Sequence, residues 1–466
     1  MLPKLIPNFI EGSMAPALSG RSFAKLSPHS GLLIAHVAQS DAKDADAAIA
    51  AARRAQPSWA EKTAVSRGDL MRDIALRMRE RRRDIAEVVA AETGKAVAHA
   101  LGETDAAIEM GFFIAGEGRR FYGRTTTAST PHRSVMSVRQ PLGVAGLIIA
   151  SNTPIANVAW KAFPAMLCGN TAVLKPSEDT PATAWIFADI CREVGIPSGV
   201  FNVVQGYGAE AGLPIVESPD VALVSFTGSC ATGRRIQQAA GARLAKVCME
   251  LGGKNALIVC DDADQDNALQ WILQSAFSNA GQRCAAASRI VLFSEIYDSL
   301  RDRLVAATRA LKVGPADTDF LGPVINERQL LAMLEAVKEA QREGAKVLCG
   351  GHRLIDPAHA SGYYMAPTLL EGIAPSAEIS RKELFGPITI LYRVCDFAEA
   401  LALTNNSPYG LTTAIHTANV HRAMQYAEKA QAGVVVVNGG THGSEPHMGF
   451  GGIKDSGYGS EGGPEA

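Results

Sequence analysis

Four short apolar runs, each closing on a polar turn, constrain the fold of this chain more than any other feature. Val144 to Ala150 (VAGLIIA) runs into Ser151-Asn152-Thr153-Pro154, and Thr171 to Leu174 into Lys175-Pro176. Phe201 to Val204 ends at Gln205-Gly206, and Ala222 to Phe226 ends at Thr227-Gly228-Ser229. Helical patterns such as TPATAWIFADICREVG lie between them. Apolar runs this short, bounded by turn residues, read as strands buried on both faces. Strands that alternate with helices predict a parallel, doubly wound α/β sheet. A second α/β series starts near Ala256-Leu257-Ile258-Val259, passes through Arg289 to Phe293 and reaches Val434 to Val437, which puts a domain boundary near Glu250. Ahead of both series, residues 44 to 116 read as helical, with patterns over DADAAIAAARRAQPSW, Ser66 to about Ala91, and Ala98 to Gly116.

A length of 466 residues fits two or three domains, and 47% hydrophobic with 20% charged residues is ordinary globular usage. The net charge of −2 gives no reason to expect nucleic acid, and the basic run Met78-Arg79-Glu80-Arg81-Arg82-Arg83 reads as a solvated helix face. The 8 cysteines are scattered without paired spacing, which argues against a disulfide framework and a metal site and fits a reducing compartment. MLPKLIPNFIEG lacks a continuous apolar leader, and the stretch from Leu142 to Trp160 is interrupted and too short for a bilayer. The expectation is a soluble cytoplasmic protein with neither nucleic-acid nor membrane partner.

Ligands of doubly wound sheets bind beyond the carboxyl ends of the strands. Asn152, Lys175 and Thr227-Gly228-Ser229 each follow an apolar run and so fall at such ends. Turn preference alone also accounts for Asn and Ser, and Lys is usually just exposed. FTGSCATGRRIQQ reads as strand, turn and helix start, with Ser229 as cap and free N–H groups for a phosphate. GYGAEAG at 206 to 212 misses the dinucleotide fingerprint by one position and reads as a turn. Glu250, in MELGGKN, is either a general base in an apolar cleft or a surface glutamate. Cys284, in SNAGQRCAAAS, sits on an expected loop between a helical pattern and the strand SRIVLF. Core packing is the commoner fate of a cysteine; Arg283 beside it is expected to lower the thiol pKa, and the alanines leave room for a substrate. His442 and His447 read as loop residues.

Taken together these stretches resemble the aldehyde dehydrogenase superfamily. The motifs are KPSE at 175 to 178, FTGS at 226 to 229, ELGGKN at 250 to 255, GQRC at 281 to 284, KELFGP at 382 to 387, NNSPYGL at 405 to 411 and GFGGIKDSGYG at 449 to 459. Their order fits, and Glu250 and Cys284 stand at the separation seen in hydrolytic members. The resemblance implies two doubly wound α/β domains: an NAD-binding domain from 1–122 and 141–249, and a catalytic domain from 250–438. An oligomerisation arm is implied for 123–140 and 439–466, with a homodimer or homotetramer as the assembly.

By the same resemblance Cys284 attacks an aldehyde carbonyl, and Asn152 with the Cys284 N–H stabilises the oxyanion. A thioester on Cys284 remains after hydride transfer, and Glu250 activates the water that releases the acid. Lys161, in WKAFPAM, resembles a lysine that assists proton transfer. Lys175, Ser177 and Glu178 are implied at the adenosine ribose, Thr227, Gly228, Ser229, Leu251 and Gly252 along the dinucleotide, and Glu383 with Phe385 at the nicotinamide ribose. The Glu178 carboxylate repels a 2′-phosphate and so favours NAD over NADP, although some members with that glutamate use both. Trp160, Arg283 and Phe450 fall on the substrate side, and GEGRRFYGRTT is closer to the semialdehyde-oxidising branch than to the betaine aldehyde branch.

Two departures stand out. Ala150-Ser151 replaces the Pro-Trp that family members commonly carry before the asparagine, and the sequence stops at GSEGGPEA where the family continues into a strand shared with a neighbouring subunit. The alternatives are a CoA-acylating semialdehyde dehydrogenase, against which Glu250 counts, and a catalytically silent protein on the same fold.

Overall fold

The computed structural model describes residues 2–121 and 123–464. Tyr122, within GEGRRFYGRTT and at the end of the first implied segment, lies outside the described residues, as do the last two of the tail.

The four predicted strands form: Val144–Ile148, Thr171–Lys175, Phe201–Val203 and Val221–Thr227 lie parallel, together with Lys246–Glu250, which the sequence reading did not single out, in one eight-stranded sheet. Its spatial order runs from Gly457–Tyr458 through Lys246–Glu250, Val221–Thr227, Val144–Ile148, Thr171–Lys175 and Phe201–Val203 to the antiparallel pair Asn8–Ile10 and Ser13–Ala15. Side-chain alternation explains why these runs are largely apolar. Ala145, Leu147, Ala172, Leu174, Phe201 and Val203 face one core, whereas Val144, Ile148, Val173 and Val204 face another. Both faces are covered, so no position along the strand can be polar without cost. Burying each Leu or Val contributes about 2 kcal/mol.

The first core is roofed by helices 64–80, 82–93, 97–117, 154–167 and 181–193, the second by 42–61, 213–217 and 230–242. The predicted long helix from Ser66 breaks at Arg81, which ends one helix and begins the next. The helix Ala42–Glu61 starts at a reciprocal cap between Asp41 and Asp44.

Glu250 is the last residue of the first sheet, and the strand Asn255–Val259 already belongs to a second. That sheet has seven strands in the order Lys346–Cys349, Thr368–Glu371, Ile388–Val394, Ala287–Phe293, Asn255–Val259, Thr412–His416, Val434–Val437. All neighbours are parallel except the first pair. Ile258, Ile290, Leu370 and Ile415 anchor its core.

The two segments implied as an arm differ. Residues 123–140 include the hairpin Thr125–Thr127 with Ser134–Met136, every residue of which is exposed. The tail from 439 runs across its own chain, pairing Gly457–Tyr458 with Met249 and Glu250 and Ile453–Lys454 with Tyr409–Gly410. Among the described residues no helix is long and apolar enough to cross a membrane.

Candidate active site

Because the strands are parallel, their carboxyl ends meet at one edge of the sheet. Register sets Ile148 beside Lys175, Phe226 beside Ile148, and Thr227 beside Glu250. A cavity of about 640 Å³ opens above that edge. Lys175, Ser177, Glu178, Thr227, Gly228, Ser229, Leu251, Gly252, Glu383 and Phe385 all line it, together with Asn152 and Cys284. Ala150 and Ser151, the small replacements for a bulky pair, line it too.

The lining suits a dinucleotide. Ser229 caps the helix Cys230–Ala242, its Oγ accepting from the Thr232 N–H at 3.4 Å, so that the helix N-terminus presents N–H groups to an anion. Buried Lys175 donates to Glu178 at 3.4 Å, a charged donor and acceptor pair suited to ribose hydroxyls. Glu383 reaches in from the second domain and accepts from the Gly253 N–H at 3.1 Å. Burial pushes its carboxyl up to about 7. That approach explains the first glycine of ELGG: a Cβ on Gly252 would collide with a Glu383 carboxylate oxygen.

Several lining residues escape sequence reading. Gly208, Ala209 and Gly212 belong to GYGAEAG, which is not the expected turn but a wide helical turn running into the helix Leu213–Glu217. Ile325, Asn326, Arg328 and Gln329 arrive from the second domain, on no motif.

Cys284 sits on the expected loop between the helix Gln265–Phe277 and the strand Ala287–Phe293. Asn255, from ELGGKN, pins that loop: its amide donates to the carbonyls of Cys284 (2.7 Å) and Ala286 (2.9 Å), while its oxygen accepts from the Thr412 N–H at 3.1 Å. Ahead of Cys284, Asn279 and Ala280 hold left-handed φ values of 54° and 53°. Such a conformation costs an alanine roughly 1–2 kcal/mol, strain of the kind that collects at functional sites. The thiol is pushed up to about 12, first by burial and then by the Glu383 and Glu250 carboxylates. Arg283 acts in the expected direction but is outweighed, which corrects the expectation of a lowered thiol pKa: desolvation acts on the whole charge.

Asn152 is held by its backbone. Its carbonyl accepts from Lys95 Nζ at 2.7 Å and from the Asn279 amide at 3.2 Å, and its side-chain oxygen accepts from Asn157 at 3.4 Å. The side-chain NH₂ has no acceptor among the described residues, and Asn152 lines the same cavity as Cys284. Lys95 itself pairs with Glu103 at 2.6 Å, and the other Glu103 oxygen accepts from the Ile155 N–H at 3.0 Å.

Glu250 is buried at the end of its strand, and neither carboxylate oxygen has a partner among the described residues. Burial holds its pKa well above the usual carboxylate range, with the charge of Glu461 adding to the shift and Lys161 opposing it. Lys161 donates to Ser225 Oγ at 2.8 Å and to the Glu461 carboxylate. Glu461 has no signal in sequence. It lies in a glycine-rich tail, and its backbone bridges that of Phe450 at 2.6 and 2.7 Å. Phe450 in turn meets Trp160 edge-to-face, with ring centroids 5.8 Å apart. Trp160, Arg283, Phe450, Lys161 and Glu250 all lie outside the cofactor cavity lining.

Comparison with known proteins agrees with this geometry. The aldehyde dehydrogenase family model matches residues 16–466. The chain is 34% identical over 452 residues to an α-ketoglutaric semialdehyde dehydrogenase of Bacillus subtilis, covering 96% of this chain and 93% of that one. Among solved structures, betaine aldehyde dehydrogenase of Staphylococcus aureus in complex with NAD+ superposes with a TM-score of 0.97 at 32% identity, over 100% of this chain and 92% of that one. PnpE from Pseudomonas sp. WBC-3 gives 0.96 at 35% identity, over 99% and 94%. With a family match across nearly its whole length and the fold of solved members, this chain belongs to the aldehyde dehydrogenase family and is an aldehyde dehydrogenase.

Proposed function

We propose that the enzyme oxidises a semialdehyde to its carboxylic acid with NAD, through a covalent intermediate on Cys284. One observation carries this reading: nucleophile, free amide donor and dinucleotide-compatible residues share one cavity lining, with the unpartnered Glu250 carboxylate Coulombically coupled to the thiol. NAD bound in that cavity supplies the hydride acceptor. The name of the Bacillus subtilis relative supports a semialdehyde, and the NAD+ complex of the Staphylococcus aureus enzyme supports NAD.

In the chemistry we assign, the Cys284 sulfur adds to the aldehyde carbon and the Asn152 amide donates to the developing oxyanion. The thiol, held protonated by burial, gives up its proton as sulfur attacks, and Glu250 is the base within Coulombic reach. Glu250 releases that proton to solvent and, once the thioester stands on Cys284, takes a proton from water, a task suited to a carboxylate with a raised pKa. Lys161 and Glu461 set the charge around that base. Glu178 beside Lys175 favours NAD over NADP by repelling a 2′-phosphate.

We assign the exposed hairpin at 125–136, with Val135, Met136 and Val138 exposed beside it, to a homodimer or homotetramer contact. The 8 unpaired thiols support a reducing, cytoplasmic setting. The test is NAD and NADP reduction across succinic semialdehyde, benzaldehyde, acetaldehyde and betaine aldehyde. Acid formation without CoA and a higher kcat/KM with NAD are expected. Strict dependence on CoA, or preference for betaine aldehyde over every semialdehyde, overturns the reading.

A further inference from the structure

The loop that follows the strand Thr171–Lys175 supplies Ser177, Glu178 and Asp179 to the cavity lining, and it is anchored from outside itself. At its far end the helix Pro181–Glu193 starts without a side-chain cap from Thr180. The buried Glu92 carboxylate takes that place, accepting from the N–H groups of Ala182 (2.6 Å) and Thr183 (2.9 Å) and from the Thr183 hydroxyl at 2.7 Å. Lys25, also buried, donates to the Glu92 carbonyl at 2.9 Å, and its charge acts on Asp179 as well as on Glu92. A further anchor comes from beyond the first sheet. Asn326 Nδ2 donates to Asp179 Oδ2 at 3.1 Å, and both residues line the cavity. Among the described residues this is the only hydrogen bond between residues 176–180 and the chain beyond Glu250.

Asn326 is firmly seated. Its Oδ1 caps the helix Glu327–Arg342, accepting from the Gln329 N–H at 2.9 Å, and that helix buries Leu330, Met333 and Val337 in the core of the second sheet. The residues before it are clipped to the segment ahead of Cys284: Gln282 Oε1 accepts from the Ile325 N–H at 2.9 Å, and Gln282 Nε2 donates to the Pro323 carbonyl at 3.3 Å. A helix cap needs only an oxygen, which Asp, Ser or Thr supplies equally well, so the cap leaves the Asn326 NH₂ unexplained. Its acceptor is a carboxylate beside Glu178. Burial raises the Asp179 pKa, and Lys25, the Asn326 hydrogen bond and Arg328 oppose that rise. We propose that Asn326 is a cofactor-positioning residue: by holding Asp179 it clasps the loop of Ser177 and Glu178 to the helix Glu327–Arg342, and so sets how tightly the dinucleotide is held and how fast it leaves. The inference rests on the assignment of this cavity to NAD and names what fixes one of its walls. The physical reason is preorganisation: a loop ordered in advance loses less freedom when the ligand arrives.

The test follows NADH binding by its fluorescence, without aldehyde, in wild type, Asn326→Asp, Asp179→Asn and the double variant. In Asn326→Asp the new carboxylate still accepts from the Gln329 N–H, so the helix keeps its cap. It cannot donate to Asp179, and it sets two carboxylates against each other. The Kd for NADH rises about 10-fold, the scale of one hydrogen bond to a charged group, and stopped-flow dissociation quickens. In turnover the change lies in the KM for NAD rather than in kcat. Asp179→Asn loses less, because Asn326 can donate to the new amide oxygen. In the double variant donor and acceptor exchange places, and the Kd returns toward wild type, a recovery that general loss of stability does not produce. An unchanged Kd in Asn326→Asp, or a loss that the double variant does not recover, overturns the clasp and leaves aldehyde oxidation at Cys284 intact. A wild type that binds no NADH overturns the clasp together with the cofactor assignment.

Discussion

The two sides of Cys284 are built in different ways. The proposed cofactor side rests on strand ends: Lys175 and Thr227 are the last residues of the parallel strands flanking Val144–Ile148, and the register that aligns the sheet also aligns them. The proposed substrate side has no such frame. It is assembled from the helix carrying Trp160 and Lys161, the nucleophile loop with Arg283, and a tail that brings His442, Phe450 and Glu461. A regular sheet fixes one shape of ligand, while loops and a tail are free to vary with the aldehyde.

Four substitutions probe that contrast, in descending order of effect. Cys284→Ala removes the shared atom and lowers kcat by at least about 10³-fold for every aldehyde, measured as NADH formation. Residual turnover near wild type would move the nucleophile elsewhere. Glu250→Gln lowers steady-state kcat by roughly 10²–10³-fold. A slower stoichiometric NADH burst survives, because water can also take the thiol proton whereas acyl release needs the activated water. Loss of the burst as well would make thiol activation the principal task of Glu250.

Asn152→Ala costs about 10²-fold, the scale of one oxyanion donor, and weakens the burst itself more than the later acyl release. Glu461→Gln has the smallest effect. A base works only once deprotonated, so activity fails as pH drops through the raised pKa of Glu250. The Glu461 charge contributes to that raise, so its removal moves the acid limb of kcat to lower pH. An unmoved or upward-shifted limb would break the coupling between tail and base.

The legible part of the site is the part with a repeating local cause. Ser229 can be found because a strand, a turn and a helix start are contiguous, and the cap forms there. Asn152 and Lys175 follow apolar runs for the same reason. GYGAEAG misleads because its glycines suggest a turn, whereas burial of Ala211 and Gly212 against the sheet stabilises a helical turn. Arg283 misleads in another way. Its charge lies beside the thiol in sequence, but desolvation and two carboxylates from distant segments set the sign of the shift.

The order of residues along the chain was enough to specify two α/β series, a change of sheet near Glu250 and several residues at strand ends, because hydrophobic period and turn chemistry are local. Folding in three dimensions was needed to bring Glu461 against Lys161 across 300 residues, to carry Glu383 to Gly253, and to leave Arg283 Nε buried without a partner among the described residues. Those are matters of burial and of charge summed over space. No stretch of sequence contains them, since the energy of a buried charge depends on every group around it and not on its neighbours in the chain.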